Sequence, residues 1–175
     1  MGKIGTIAFI GGGAMGEAII KGILQAKLAE GKEITVSDPS AQRLEYLQKQ
    51  YAVNVTKENV AAVKSAKTVV LAVKPQMADK AINNAVAQAI AKEAAVVSIM
   101  GSVDLEKLHS LIPERAIIRV MPNTPLAVGA GMTAIAPDEN AGQEMIETAK
   151  AIFCSFVEVV EVQESAMEAI TADSG

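Results

Sequence analysis

The feature that most constrains the fold is a glycine-rich turn close to the amino terminus. Residues 7–10 are apolar and strand-like, and Gly11, Gly13 and Gly16 follow with the spacing Gly-x-Gly-x-x-Gly. Apolar residues then recur with helical spacing over 19–28. In such a unit the first glycine permits a sharp turn, the second lets the backbone approach a pyrophosphate, and the third lets the helix pack closely on the sheet. The pattern indicates a dinucleotide site with its phosphates at the helix amino end; a turn of the same shape without a ligand is the alternative.

Strand-like and helix-like segments alternate along most of the chain, which is typical of βαβ repetition. Strands are predicted near residues 5–10, 33–37, 53–55, 68–73, 95–100, 117–121, 131–136 and 155–161. Helices are predicted near residues 14–29, 39–51, 57–65, 76–92, 103–111 and 139–153, with a further helical segment from Glu164. Right-handed crossovers then give an α/β fold. We predict a doubly wound, Rossmann-type, mostly parallel sheet of about eight strands with helices on both faces, its last two strands at the far edge.

Composition fits such a sheet and disfavours other classes. Half of the 175 residues are hydrophobic but only 3% are aromatic, so the core must be aliphatic, which suits a parallel sheet covered on both faces. The net charge of -4 argues against a nucleic-acid surface and offers no basic patch for a membrane. The apolar runs are too short to span a bilayer and the first residues do not resemble a secretory signal, so a cytoplasmic protein is expected. One cysteine, Cys154, and one histidine, His109, give no metal-ligand spacing, and His109 is expected on a solvated helix face.

Ligands of open parallel sheets bind beyond the carboxyl ends of the strands, and Asp38 follows the second predicted strand. There its carboxylate could accept hydrogen bonds from the adenosine ribose hydroxyls and disfavour a 2′-phosphate. Asp38 followed by Pro39 is equally a good helix cap. Arg43, one helical turn further on, could offer a cation to a phosphate. The cofactor is therefore NADP or NAD, with a lean towards NAD.

Three later strand ends also carry unusual residues. Proline after Lys74 holds that lysine extended at the cleft, although a solvated lysine at an ordinary strand exit is the alternative. After the fifth strand, Gly101 leaves room for a nicotinamide ring and Ser102 is a candidate helix cap. After the sixth, Asn123 and Thr124 stand between two prolines in a stiff loop.

The sequence offers no Ser-His-Asp set, no paired carboxylates at a strand end and no cysteine beside a histidine. Hydride transfer requires none of these groups, because the nicotinamide carries the chemistry and the protein aligns it with an electrophilic carbon. No catalytic side chain is therefore predicted.

With these motifs in place, the chain resembles the pyrroline-5-carboxylate reductases, the enzymes that complete proline biosynthesis. The resemblance covers nearly the whole chain and is carried by residues 9–19, Asn59, residues 71–76 and residues 119–125. The last two motifs are more specific than the glycine turn. The resemblance implies an oxidoreductase that transfers hydride from NAD(P)H to the C=N bond of 1-pyrroline-5-carboxylate and gives L-proline.

The resemblance also implies which residues meet the cofactor and the substrate. The residues that correspond to the pyrophosphate site are Gly11, Gly12, Gly13, Ala14, Met15 and Gly16. Those at the adenosine ribose are Ser37, Asp38, Pro39 and Asn59. Those along the nicotinamide half are Ala72, Val73, Lys74, Pro75, Met100 and Gly101. Asn123 and Thr124 correspond to residues at the junction of cofactor and substrate.

The sequence departs from the family pattern at two places. The family usually has a small residue and glycine where Gly101 and Ser102 stand, which should leave the pocket intact. Asp173 takes a usually apolar place in a segment that resembles the start of the family's helical domain. The resemblance thus implies an NAD(P)-binding domain over 1–163 and, over 164–175, the start of a truncated helical domain for substrate binding and homo-oligomerisation. We expect the isolated chain to be weakly active or inactive, and the segment from Glu164 to be poorly ordered or docked on a neighbour.

Two other functions stay open. A deazaflavin-dependent NADP oxidoreductase would share the glycine turn and the doubly wound domain. A non-catalytic domain that senses NAD(P) would need no substrate domain. The motifs at residues 74–75 and 121–125 favour the reductase.

Overall fold

The computed structural model describes residues 3–122, 132–154 and 158–167, which form one sheet covered by helices. The strands are β1 Ile7–Ile10, β2 Ile34–Ser37, β3 Asn54–Thr56, β4 Thr68–Leu71, β5 Ala95–Ser98, β6 Ala116–Pro122, β7 Met132–Pro137 and β8 Glu158–Glu161. The helices are α1 Ala14–Gln25, α2 Ala41–Tyr51, α3 Asn59–Val63, α4 Ala78–Ala81, α5 Asn84–Ala89, α6 Leu105–Leu111 and α7 Gln143–Cys154. Short 3₁₀ helices at Gly31–Glu33 and Pro75–Met77 precede β2 and α4.

The strand order is β3-β2-β1-β4-β5-β6-β7-β8. Neighbouring strands are parallel except for β6 and β7, which are antiparallel. The chain moves outward from β1 to β3 and then returns to β4 on the other side of β1, so the winding direction reverses between β1 and β4. This confirms the predicted doubly wound α/β fold and the two added strands at its far edge. Ligands of such sheets bind beyond the carboxyl ends at this reversal, where the turn after β1 lies.

Two apolar cores lie on opposite faces of the sheet. Because successive strand residues point to opposite faces, Ile7 and Phe9 join one core while Ala8 and Ile10 join the other. Helices α1, α2 and α7 cover the first face, and α3 to α6 cover the second. All four residues of β1, β4 and β5 are buried, as expected for strands covered on both faces.

Two predicted helices have different limits in the structure. The helix predicted near 14–29 ends at Gln25, because Lys27 adopts a left-handed conformation with φ 58°. The helix predicted near 76–92 is divided into a 3₁₀ helix, α4 and α5. Ile82 leaves helical geometry there, and the Asn83 side chain accepts a hydrogen bond from the Val86 amide to begin α5. Apolar periodicity continues through such breaks, so it alone does not reveal them.

The segment from Glu164 is anchored on this chain over its described part. Met167 is completely buried and packs with Met121, Ala134 and Ala136 on β6 and β7. The expectation of a poorly ordered or neighbour-docked segment is therefore wrong for residues 164–167. Within the described ranges, no helix is long and apolar enough to cross a membrane.

Candidate functional site

The turn after β1 is wedged between two other strand ends. The Gly11 amide donates a hydrogen bond to the Ser37 carbonyl at 2.8 Å, and Gly11 has φ 104°. A Cβ at this position would lie 2.5 Å from the Ala72 carbonyl oxygen, which is backbone and cannot move aside easily. Only glycine fits both the conformation and the space, so the predicted role of Gly11 in a sharp turn is confirmed.

Gly13, by contrast, faces open space at the amino end of α1. Among the described residues, no atom lies within 4 Å of a Cβ built at Gly13, and no side chain caps α1. The free amides of the first helical turn can therefore receive a ligand. Gly16 lies behind this turn, where a Cβ would come within 2.9 Å of the Gly11 carbonyl oxygen. These residues, together with the exposed Ala14, fit the phosphates of a dinucleotide.

Asp38 bridges the turns after β1 and β2. Its Oδ2 accepts a hydrogen bond from the Gly12 amide at 2.9 Å, and its Oδ1 accepts one from the Ser40 amide at 2.9 Å. The helix cap itself is Ser40, whose hydroxyl accepts from the Arg43 amide, and α2 begins at Ala41. The alternative in which Asp38 and Pro39 form the cap is thus wrong. The Asp38 carboxylate instead stabilises the glycine turn.

Arg43 and Glu17 form an ion pair beside this turn. Arg43 Nη2 lies 2.6 Å from Glu17 Oε1, and Arg43 Nε donates to the Gly12 carbonyl. The guanidinium carbon also lies 5.1 Å from the centre of the Tyr46 ring, a cation–π geometry. Arg43, which the sequence suggested as a cation for a phosphate, is therefore already paired with the Glu17 carboxylate.

Glu17 collects hydrogen bonds from two tyrosines as well. Its Oε2 accepts from Tyr46 at 2.8 Å and from Tyr51 at 2.5 Å. Burial raises the pKa of Glu17, but the hydrogen bonds from Tyr51, Tyr46 and Arg43 outweigh it and leave that pKa below its usual value. Burial and the Glu17 carboxylate raise the pKa of Tyr51. Sequence reasoning missed this cluster, although the placement of Arg43 and Tyr46 one helical turn apart was a usable signal.

Ser37 and Asn59 are brought together below the turn after β2. The Ser37 hydroxyl, fully buried, donates to Asn59 Oδ1, and Asn59 Nδ2 donates to the Ala81 carbonyl at 3.0 Å. Asn59 therefore links β2 to α4. Pro39 is exposed next to them. We call residues 11–16, residues 37–39 and Asn59 the glycine-turn side of the site.

The opposite side follows β4 and β5, and we call residues 72–75 and 100–101 the β4–β5 side. Lys74 is exposed and extended, with φ -64° and ψ 142°, as its proline neighbour predicts. The Ala72 amide donates to the Ile10 carbonyl at 2.8 Å, which brings this strand exit against the glycine turn. Val73 is half-buried and packs on the core below the exit.

Met100 and Gly101 follow β5. Met100 is buried and its amide donates to the Ser98 hydroxyl at 3.3 Å. A Cβ at Gly101 would lie 2.8 Å from Met121 Cε, so the side chain nearest this glycine belongs to β6. The cap of α6 is Asp104, which accepts from the Lys107 amide, so the prediction of Ser102 as the cap is wrong.

Two predicted positions remain outside this geometry. Asn123 and Thr124 lie outside the described residues, so their placement at the substrate stays a prediction. His109 is 35% exposed in its side chain, and its Nε2 lies 3.2 Å from Oδ2 of the buried Asp138. It is therefore less solvated than the sequence suggested.

Comparisons with known proteins find similarity to oxidoreductases. Residues 6–102 match the family model described as NADP oxidoreductase, coenzyme F420-dependent. The chain is 41% identical over 169 residues to a pyrroline-5-carboxylate reductase from Synechocystis sp., a match that covers 97% of this chain and 62% of that protein. The chain thus spans less than two thirds of the length of this relative.

Two solved structures with a similar fold are pyrroline-5-carboxylate reductases. The Coxiella burnetii protein superposes with a TM-score of 0.91 at 28% identity, over 98% of this chain and 64% of that chain. The Plasmodium falciparum protein, solved with NADP bound, gives a TM-score of 0.86 at 27% identity, over 100% of this chain and 64% of that chain.

Proposed function

The chain belongs to the family described as NADP oxidoreductase, coenzyme F420-dependent, and from this premise we propose that it forms the dinucleotide-binding part of a pyrroline-5-carboxylate reductase. The activity proposed for the whole protein is reduction of 1-pyrroline-5-carboxylate to L-proline by NAD(P)H. Similarity to the Synechocystis relative over 97% of this chain supports this reaction above others.

The observation that carries the proposal is the contrast between Gly11 and Gly13. Gly11 is packed against the backbone of the next strand exit, whereas the Cβ position of Gly13 faces space free of described atoms at the start of α1. A structural turn needs the first feature only. Open space in front of free helix amides suits the pyrophosphate of NAD(P). The Plasmodium relative, solved with NADP, supports the same assignment.

The other predicted residues take proposed roles around this turn. When bound, the nicotinamide supplies the hydride for the C=N carbon of the substrate. We assign residues 11–16 to the pyrophosphate, residues 37–39 with Asn59 to the adenosine ribose, and the β4–β5 side to the nicotinamide half. Asn123 and Thr124 are assigned to the substrate junction. The residues of this chain then bind and align the cofactor and exclude water. No described side chain is assigned a role in proton transfer.

The division of the chain is a further part of the proposal. Residues 1–163 are assigned to the dinucleotide-binding domain, and residues 164–175 to the start of a helical domain for substrate binding and homo-oligomerisation. We also place the protein in the cytoplasm. The supporting observation is that this chain spans 62–64% of the length of the reductases it resembles.

A deazaflavin-dependent oxidoreductase is the second candidate, because the matching family is named for coenzyme F420, a deazaflavin. That match covers residues 6–102, the region that contains the glycine turn shared by both classes. The reductase similarity extends over 97% of the chain and therefore favours the first candidate.

The test is to titrate the chain calorimetrically with NADPH and NADH and then to assay the bound complex with each candidate substrate. We expect saturable binding of at least one nucleotide and, with 1-pyrroline-5-carboxylate, slow NAD(P)H oxidation with matching proline formation. Oxidation by F420 but not by pyrroline-5-carboxylate would favour the second candidate. Absence of nucleotide binding by the folded chain would contradict both.

A further inference from the structure

Arg119 is a buried arginine in an otherwise apolar strand. Its side chain is 3% exposed, so its charge must be satisfied within the protein. Nη1 lies 2.6 Å from Glu164 Oε1, and Nη2 donates to the Gly101 carbonyl at 2.8 Å. Arg119 therefore connects the loop after β5 to the segment that follows β8.

Glu164 holds the other end of the same loop. The oxygen that pairs with Arg119 also accepts a hydrogen bond from the amide of Leu105, the first residue of α6, at 3.1 Å. The loop is thus held at Gly101 by a guanidinium and at Leu105 by a carboxylate, and these two side chains are bonded to each other. Because the guanidinium is almost fully buried, loss of either partner would leave a charge with an incomplete set of partners.

We propose that Arg119 is a positioning residue for the nicotinamide half of the site. With Glu164 it fixes the carbonyl of Gly101 and the start of α6, so that binding of the nicotinamide end depends on the segment that begins at Glu164. This inference rests on the proposed function, since it requires that Met100 and Gly101 line the nicotinamide half. Arg119 acts through its hydrogen bond to the Gly101 carbonyl and is assigned no contact with the cofactor.

Arg115 provides a matched control near the start of the same strand. It is 9% exposed, and its guanidinium donates to the Ile90 carbonyl at 2.8 and 3.1 Å and to the Pro113 carbonyl at 3.2 Å. It therefore also bridges backbone carbonyls from a buried position. It lies before β6, at the edge of the sheet opposite the glycine turn.

The experiment compares Arg119→Lys with Arg115→Lys by calorimetry. The first ligand is whichever of NADH and NADPH binds more tightly. The second is the matching nucleotide without the nicotinamide ring, which is ADP-ribose for NADH and 2′-phospho-ADP-ribose for NADPH. Lysine keeps the charge but lacks the planar fork that reaches Glu164 and Gly101 together. We expect Arg119→Lys to weaken the binding of the complete nucleotide by about tenfold and that of the ring-less nucleotide by less than about twofold. Arg115→Lys should leave both affinities within about twofold of the original chain.

A second variant, Glu164→Gln, separates loss of this network from general loss of stability. Glu164→Gln retains an oxygen for Arg119 and for the Leu105 amide but removes the charge, so it should give the same selective loss on a smaller scale. The double variant with Arg119→Lys should lose less binding free energy than the two single variants lose together, because both substitutions disrupt one network. Urea titration of each variant reports whether the fold is retained.

The outcomes separate this inference from the function on which it rests. If the original chain binds neither nucleotide, the proposed function is wrong. Suppose instead that it binds both the complete and the ring-less nucleotide. If Arg119→Lys and Glu164→Gln then change the two affinities equally or change neither, the cofactor assignment stands and the positioning role of Arg119 is wrong.

Discussion

The glycine-turn side and the β4–β5 side are held in place by different means. On the glycine-turn side, Gly11 is fixed by backbone contacts to Ser37 and Ala72, and Asp38 fastens the neighbouring amide. On the β4–β5 side, the loop at Gly101 depends on Arg119 and on a carboxylate 45 residues further along the chain. Backbone contacts between strand ends and one carboxylate thus hold the first side, whereas the second needs an ion pair between a buried arginine and a partly exposed glutamate.

Replacement of Gly11 should have the largest effect on stability. Gly11→Ala introduces a Cβ that overlaps the Ala72 carbonyl oxygen at φ 104°. Strain and overlap together should reduce the free energy of unfolding by about 3 kcal/mol. Urea denaturation measures the change. The control is Gly142→Ala, where no described atom lies within 4 Å of the new Cβ; its effect should stay within about 1 kcal/mol. Equal losses in the two variants would contradict the tight fit at Gly11.

Replacement of Gly13 should separate binding from folding on the same side. Gly13→Val places a side chain in the open space before α1 and should weaken NAD(P)H binding by about a hundredfold or more, because it would occupy the space of the pyrophosphate. Valine is a poorer helix cap than glycine, so unfolding should become easier by at most about 1 kcal/mol. Calorimetry and circular dichroism give the two readouts. Unchanged affinity in the folded variant would remove the turn from the cofactor site.

Asp38 should set the preference between the two nucleotides. Asp38→Asn removes a negative charge that would face the 2′-phosphate of NADPH, while its amide oxygen can still accept one of the two backbone hydrogen bonds. The ratio of NADPH to NADH affinity should rise by about tenfold. Competitive titration measures that ratio. If both affinities fall equally, Asp38 serves only to hold the glycine turn.

Glu17 should give the smallest effect, and one that depends on pH. Its pKa is lowered in the folded chain, so ionised Glu17 contributes stability above its unfolded pKa of about 4.5, and that contribution is lost as the pH falls through the lower folded value. Glu17→Gln should therefore reduce the free energy of unfolding by less than about 1 kcal/mol at neutral pH, since the pair with Arg43 is partly exposed. Urea midpoints of the two proteins should converge below pH 4.5. A constant difference across this range would contradict the role of the charge.

Sequence patterns predicted the features that depend on neighbouring residues. Apolar patterns located every strand that the structure describes, and proline after Lys74 predicted the extended backbone of that lysine. Choices between adjacent polar residues were less accurate: Ser40 rather than Asp38 caps α2, because the Asp38 carboxylate is drawn to the Gly12 amide. That preference arises from packing between β1 and β2, which the local sequence does not contain.

The ion pair of Arg119 illustrates the same limit over a longer distance. A charge within the apolar strand after Ile118 needs a partner inside the protein, yet nothing in the local sequence distinguishes Glu164 from the other acidic residues. The pairing follows from the packing of the segment after β8 on β6 and β7, where Met167 is buried. Such a contact becomes visible only when the strand order is known.

The antiparallel direction of β7 also has a consequence for where the chain leaves and re-enters the sheet. Pro122 at the end of β6 is paired with Thr133 at the start of β7, so the chain leaves the sheet and returns to it at the same edge as the glycine turn. A parallel β7 would have required the chain to cross to the opposite edge before re-entering. Reversal of a single strand therefore places the end of β6 beside the start of β7 at the edge of the sheet that carries the glycine turn, so the connection between these strands can change in length without a change in the strand order.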